Sequence, residues 1–262
     1  MKRILTLLFS SIVILASGCA AVRAPTVNAP APSAPPYDAW ARVLQKYVDD
    51  EGRVNFAGLA RDRADLDTVV AYVYAVGPNN RPELFPTPAH VMAYHLNAYN
   101  ALAMYKVIDV GIPETNAGFR KIVFFALGKM QVGGEPISLY DYENKVIRPI
   151  GDPRIHMALN CMAVSCPRLP REPFLPATVN EQLERETKYF FDEPRNATVD
   201  TANKIVKTSE ILKFFPEDFL LKAPSLIAFI NQYRSDKLGK IPADFKVEYF
   251  SYDWAINKQP SK

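Results

Sequence analysis

Cysteine and histidine are scarce here, with three of each among 262 residues, and tryptophan is scarcer still at two. The spacing of the histidines and cysteines argues against a metal centre. His90 and His95 stand five apart on a helical pattern, about 140° around its axis, and no Glu lies between them as a zinc-protease motif requires. A zinc site from His156, Cys161 and Cys166 has suitable ligand types but lacks paired short spacings. No metal or organic cofactor is expected. An excess of one charge is missing as well. The formal net charge of +3 falls to +1 without Lys2 and Arg3, and acids and bases intersperse along the rest. Nothing in that balance asks for nucleic acid or an anionic surface. Internal repeats are absent, and so is any apolar run of bilayer length: Ile4 to Leu15 is short of the ~20 residues that a spanning helix needs.

That apolar run follows Met1-Lys2-Arg3 and precedes Ala16-Ser17-Gly18-Cys19, which gives the three regions of a secretory signal. The small residues before Cys19 resemble a lipobox, whose cysteine sulfur takes a diacylglycerol and becomes the new N-terminus. Ala16 sits where Leu is commoner, and an ordinary cleaved signal with an incidental cysteine is the alternative. By the same resemblance, Ala20 in place of Asp points to outer-membrane sorting. Residues 1–18 are therefore expected to be a lipoprotein signal peptide. Residues 19–36, with five prolines after Cys19 and one charge, form an extended tether. Residues 37–262 are expected to form a single globular domain in the cell envelope, held to the outer membrane by lipid and facing the periplasm.

Apolar spacing predicts helices over Tyr37–Val48, Leu66–Val73 and Ala89–Val110, the last apolar nearly all round and hence central and buried. Val123–Leu127 and Met130–Val132 read as extended, with a Gly133-Gly134 hairpin turn. Ser138 caps a short helix carrying Tyr140, Glu143 and Val146. Arg154–Cys161 reads as a strand, with a buried helical turn as the alternative that the pattern alone leaves open. Thr178–Phe191 reads as a helix with a Thr178/Glu181 capping box. A hairpin then spans Ala197–Thr208, short helices follow at Ser209–Phe215 and Pro216–Leu221 and a longer one at Leu226–Tyr233, and a last strand covers Val247–Tyr252. Elements in irregular order make the fold class α+β, a single domain with a buried central helix and a small, mostly antiparallel sheet.

The residue types that nucleophilic catalysis needs concentrate between Asp152 and Pro167. On a strand, period two puts His156, Ala158 and Asn160 on one face and Ile155, Met157, Leu159 and Cys161 on the apolar face, which buries Cys161. Cys166, at an irregular edge before a proline, is then the better nucleophile, with His156 able to lower its pKa. Two cysteines five apart in an oxidising compartment could equally pair, closing a loop that contributes about 2 kcal/mol. Two inert thiols remain the third reading. Asn97 and Asn100 share a helix face; such buried amides either tie down a loop or orient a catalytic histidine. Glu143 and Arg148 read as a structural ion pair or as part of the site.

Val54-Asn55-Phe56, Asn97-Ala98-Tyr99-Asn100-Ala101, Ser138-Leu139 through Glu143 and Arg148, Arg154-Ile155-His156 with Leu159-Asn160-Cys161, Ser165-Cys166-Pro167, and Tyr252-Asp253-Trp254 with Asn257 together resemble the domain of unknown function 547. The resemblance covers about Tyr37 to Asn257. It departs at His95, where that family commonly has Trp, and at Asn144, where His often follows the Glu. It implies an exported bacterial domain of papain-like or transglutaminase-like relationship and supplies no function. The residues themselves support two functions. One is a thiol hydrolase or acyl transferase acting on peptide or amide bonds of an envelope substrate, with Cys166 as nucleophile, His156 as base, and Asn100 or Glu143 orienting the imidazole. The other is a non-catalytic envelope binding or scaffolding domain with a Cys161–Cys166 disulfide.

Overall fold

The structure is a computed structural model and describes Val27 and residues 29–260. The expected signal segment, Cys19 and the start of the tether lie outside those residues. Within the described part of the tether no helix or strand forms before Tyr37; Val27 packs against the core, and Pro35 and Pro36 lie beside Trp40 and Tyr94.

Helix α1 (Tyr37–Tyr47) buries Trp40, Val43, Leu44 and Tyr47, the face its apolar spacing defines. It packs on α3 (Ala64–Ala75), which packs in turn on α4 (Pro88–Asp109). Between α1 and α3 lies α2 (Phe56–Arg61), a turn and a half opened by the Asn55 side chain and too short for periodicity to register. Every residue of α4 from Met92 to Val107 is buried, as expected of the central helix.

Two segments differ from expectation around this helix. Val123–Leu127 is not extended: it continues α5 (Phe119–Ile122) as a wide π-type turn. Lys106 of α4 holds it there, its ammonium donating to the carbonyls of Phe124 and Gly128. Burial lowers the Lys106 pKa to about 8. The second difference is Arg154–Cys161. Asp152 accepts from the Arg154 N–H and pairs with its guanidinium, and Pro153 supplies a helical φ, so Pro153–Met157 winds into a 3₁₀ turn. Ile155, His156 and Met157 are buried together, so the alternation of faces expected of a strand does not apply.

Strands β1 (Lys129–Val132) and β2 (Glu135–Ser138) form the expected hairpin, pairing Val132 with Glu135. Gly133 and Gly134 both take positive φ, 56° and 84°, as the favoured two-residue turn requires. Ser138 accepts from the Asp141 N–H at the start of α6 (Leu139–Asp141), which widens into a π-type turn over Tyr142–Ile147. Helix α7 (Val179–Asp192) forms without the capping box: the Thr178 hydroxyl donates to the Gln182 amide oxygen instead.

The second sheet has the order β3 (Ala197–Asp200), β4 (Ile205–Ser209), β5 (Lys246–Phe250), antiparallel then parallel. Helices α8 (Ile211–Phe214), α9 (Pro216–Leu220) and α10 (Leu226–Tyr233) fill the connection between β4 and β5. The fold is α+β. Its apolar interior falls into two clusters, one around α4 and the other built on Phe190, Phe191, Phe219 and Phe229. Among the described residues no helix is long and apolar enough to cross a membrane.

Candidate functional site

At the seam between the two clusters lies a cavity of about 360 Å³. The cluster around α4 lends it Tyr99, Phe125 and Leu159. Ile211, Phe215 and Tyr252 come from the other side, and Trp254 completes the aromatic wall. Glu143, His156, Cys161 and Cys166 all line it, so four residues singled out from the sequence do converge.

Cys161 and Cys166 are joined in a disulfide, with Cα atoms 6.2 Å apart. This corrects the assignment of Cys166 as a free nucleophile, because its sulfur is bonded to Cys161. It also reverses their expected exposure. Once the 3₁₀ turn replaces the strand, Cys166 is buried at 2 % exposure and Cys161 is the partly exposed partner. The Cys161 and Ala163 N–H groups point at the Cys166 sulfur from 3.1 and 3.4 Å, and the Tyr252 hydroxyl lies 3.2 Å from that sulfur and 3.3 Å from that of Cys161.

His156 carries a second correction. Its Nε2 lies 2.7 Å from Asp218 Oδ2, and its ring stacks on Phe215 with centroids 4.3 Å apart. Among the described residues no hydrogen bond joins it to either sulfur. The group orienting the imidazole is therefore Asp218, at the start of α9, and neither Asn100 nor Glu143. Arg148 grips the same carboxylate through two nitrogens, at 2.7 and 3.0 Å. Burial works to raise the Asp218 pKa, but the hydrogen bonds from His156 and Arg148 win and hold it well below the usual carboxylate range. An ionised Asp218 only accepts, so the proton of this bond sits on His156 Nε2.

Asn100 acts one layer behind the cavity. Its Nδ2 donates to the Ala158 carbonyl at 3.0 Å and its Oδ1 accepts from the Asn160 N–H at 2.7 Å, which fixes the backbone entering the cysteine loop. Asn97 does the same for another loop, bonding both backbone groups of Phe174 and accepting from the Trp40 indole. Glu143 is not paired with Arg148; it accepts from the Tyr99 hydroxyl at 3.1 Å. Burial pushes its pKa up, against the charges of His156 and Arg148 and the Tyr99 bond. Asn144, where the resemblance led one to look for His, accepts from Arg148 at 2.6 Å. Among the described residues no three His, Cys, Asp or Glu side chains gather as metal ligands.

Residues 87–191 match the model of a family described as protein of unknown function, DUF547. Over that segment the chain is similar to the DUF547 family. No curated protein and no solved structure matches the chain. The matched segment runs from the start of α4 to the end of α7 and holds Glu143, Arg148, His156 and both cavity cysteines. Asp218, Phe215, Tyr252 and Trp254 lie beyond it, so the cavity is closed by residues outside the matched segment. Sequence reasoning missed Asp218 and Phe215 as site residues. The signal present was an aromatic pair, Phe214-Phe215, ahead of a proline-initiated acidic turn.

Proposed function

We propose that this chain is an exported, lipid-anchored envelope domain whose cavity binds a peptide segment through one apolar side chain and one backbone amide. The observation that carries the reading is an aromatic wall converging on Glu143, the carboxyl whose pKa burial raises. A carboxyl that keeps its proton further towards neutrality can donate to a peptide carbonyl, while the rings take the side chain. Lys121, 3.9 Å above the Trp254 ring, supplies a cation for a peptide carboxylate. With both sulfurs in the bridge the geometry favours binding over acyl transfer by Cys166. A disulfide suits an oxidising compartment outside the cytoplasm; outer-membrane attachment facing the periplasm rests on the Gly18-Cys19-Ala20 signal.

Trp254 is a reporter inside the cavity wall. Titration with N-acetylated, C-amidated tripeptides bearing Phe, Leu or Ala centrally is expected to give a saturable emission change for Phe and Leu, with Kd between about 1 μM and 1 mM. The signal disappears in Trp254→Phe, and Glu143→Leu weakens binding several-fold. The absence of a saturable change with any of the peptides contradicts peptide binding.

A further inference from the structure

We propose that the Cys161–Cys166 bridge is a thiol–disulfide exchange centre that takes two electrons from a peptide or protein dithiol. Its first support is that the loop does not need the bridge to hold its shape. Asn160 spans the loop from inside, its Oδ1 accepting from the Met162 N–H and its Nδ2 donating to the Pro167 carbonyl, both at 2.7 Å. From outside, Val164 N–H donates to Ala255 O, Ser165 N–H to Asp253 O, and Asn257 N–H to Met162 O. Arg195 adds bonds to the carbonyls of Val164 and Cys166. Against that frame, closing so short a loop contributes only about 2 kcal/mol on the chain-entropy model.

The second support is the asymmetry of the two sulfurs. Cys161 is partly exposed and faces the cavity, where an incoming thiolate can reach it. Cys166 is buried, and the loop aims two N–H groups at its sulfur alone, while the Tyr252 hydroxyl lies 3.2 Å from that sulfur and 3.3 Å from that of Cys161. A disulfide exchanges fastest when the departing sulfur is stabilised as a thiolate, and hydrogen-bond donors do that. Here they are already in place around Cys166 before the bond breaks. Met162 stands at φ 65°, a left-handed conformation that turns the backbone so that the N–H groups on both sides of it face that sulfur.

In the exchange, a substrate thiolate attacks the Cys161 sulfur, the S–S bond breaks, and Cys166 leaves with the electron pair as a thiolate. The resulting mixed disulfide joins substrate and Cys161. The second substrate thiol loses its proton, attacks the substrate sulfur and expels Cys161. The dithiol has become a disulfide, two electrons have passed to Cys161 and Cys166, and two protons complete their thiols. This requires the bridge and its donors, not the apolar recognition proposed above, so the two readings fail separately.

The test uses the processed protein with glutathione and dithiothreitol as probe thiols. A brief glutathione pulse quenched in acid is expected to leave the adduct on Cys161. Dithiothreitol is expected to open the bridge while circular dichroism stays native, and Tyr252→Phe to slow the opening several-fold. An adduct confined to Cys166, a bridge that resists dithiothreitol until the protein unfolds, or an unchanged rate in Tyr252→Phe overturns the proposal. Should Tyr252→Phe fail to fold, iodoacetamide labelling of Cys166 in the reduced wild type decides. Labelling that sets in below pH 7 supports a stabilised thiolate, and labelling that rises only around pH 8–9 overturns it.

Discussion

Asp218 joins two groups that are far away in sequence, His156 at a separation of 62 residues and Arg148 at 70. Side chains of rare type stand out along a chain, which is why His156, Cys161 and Cys166 were legible as a group. An aspartate among many carries no such mark, and only folding reveals that it receives the imidazole. Glu143 lies on the same wall with the opposite electrostatics. Because burial raises its folded-state pKa above the unfolded value, its contribution to stability is complete below the ordinary glutamate range. That contribution is lost as the pH climbs through the folded-state value. Glu143→Gln keeps an acceptor for Tyr99 and cannot ionise, so the variant is expected to gain on the wild type as the pH rises from about 4 to 7. Thermal unfolding at several pH values reads this directly. Parallel stability curves for the two proteins contradict the raised pKa.

Helices with a clear apolar period were legible almost to the residue: α1, α3, α4 and α10 lie where Trp40, Val70, Leu96 and Phe229 lead one to look. The errors came in short apolar runs, where a strand and a buried turn look alike. At Val123–Leu127 a lysine from another helix decides, and at Arg154–Cys161 an Asp152/Arg154 pair and a proline do. The turn at Pro153–Met157 is also what exposes Cys161 and buries Cys166. The link from α4 to this segment passes through Asn100, which holds the Ala158 carbonyl and the Asn160 N–H. Asn100→Leu leaves both backbone groups unpaired in the core, at a cost of about 1–3 kcal/mol for each. A fall in Tm with Asn100→Leu, and a smaller one with Asn100→Asp, is expected from calorimetry. An unchanged Tm in Asn100→Leu contradicts the role of this amide.

On the scale of the whole molecule, the cavity exists because two apolar clusters meet without merging, and the cysteine loop closes the gap between them. The C-terminal stretch completes it: Tyr252 touches both sulfurs, and Asp253 and Ala255 hold the loop backbone. The irregular order of helical and extended patterns made the α+β class legible, but not this seam, since long-range closure leaves no local pattern. The proposed lipid at Cys19 would tether the cavity to a membrane. Cys19→Ala is expected to move the protein from the membrane to the soluble fraction or leave an unprocessed precursor, and unchanged fractionation contradicts lipidation. The central claim, that the cavity is walled by a disulfide, meets its most direct test in alkylation and mass spectrometry of the native protein isolated without reductant. The account predicts that Cys161 and Cys166 both resist iodoacetamide until reduced, and that the peptide containing them is two hydrogens lighter than its dithiol form. Immediate alkylation of Cys166 in the native protein, slowed by His156→Ala, contradicts it and restores a free thiol acting with an imidazole.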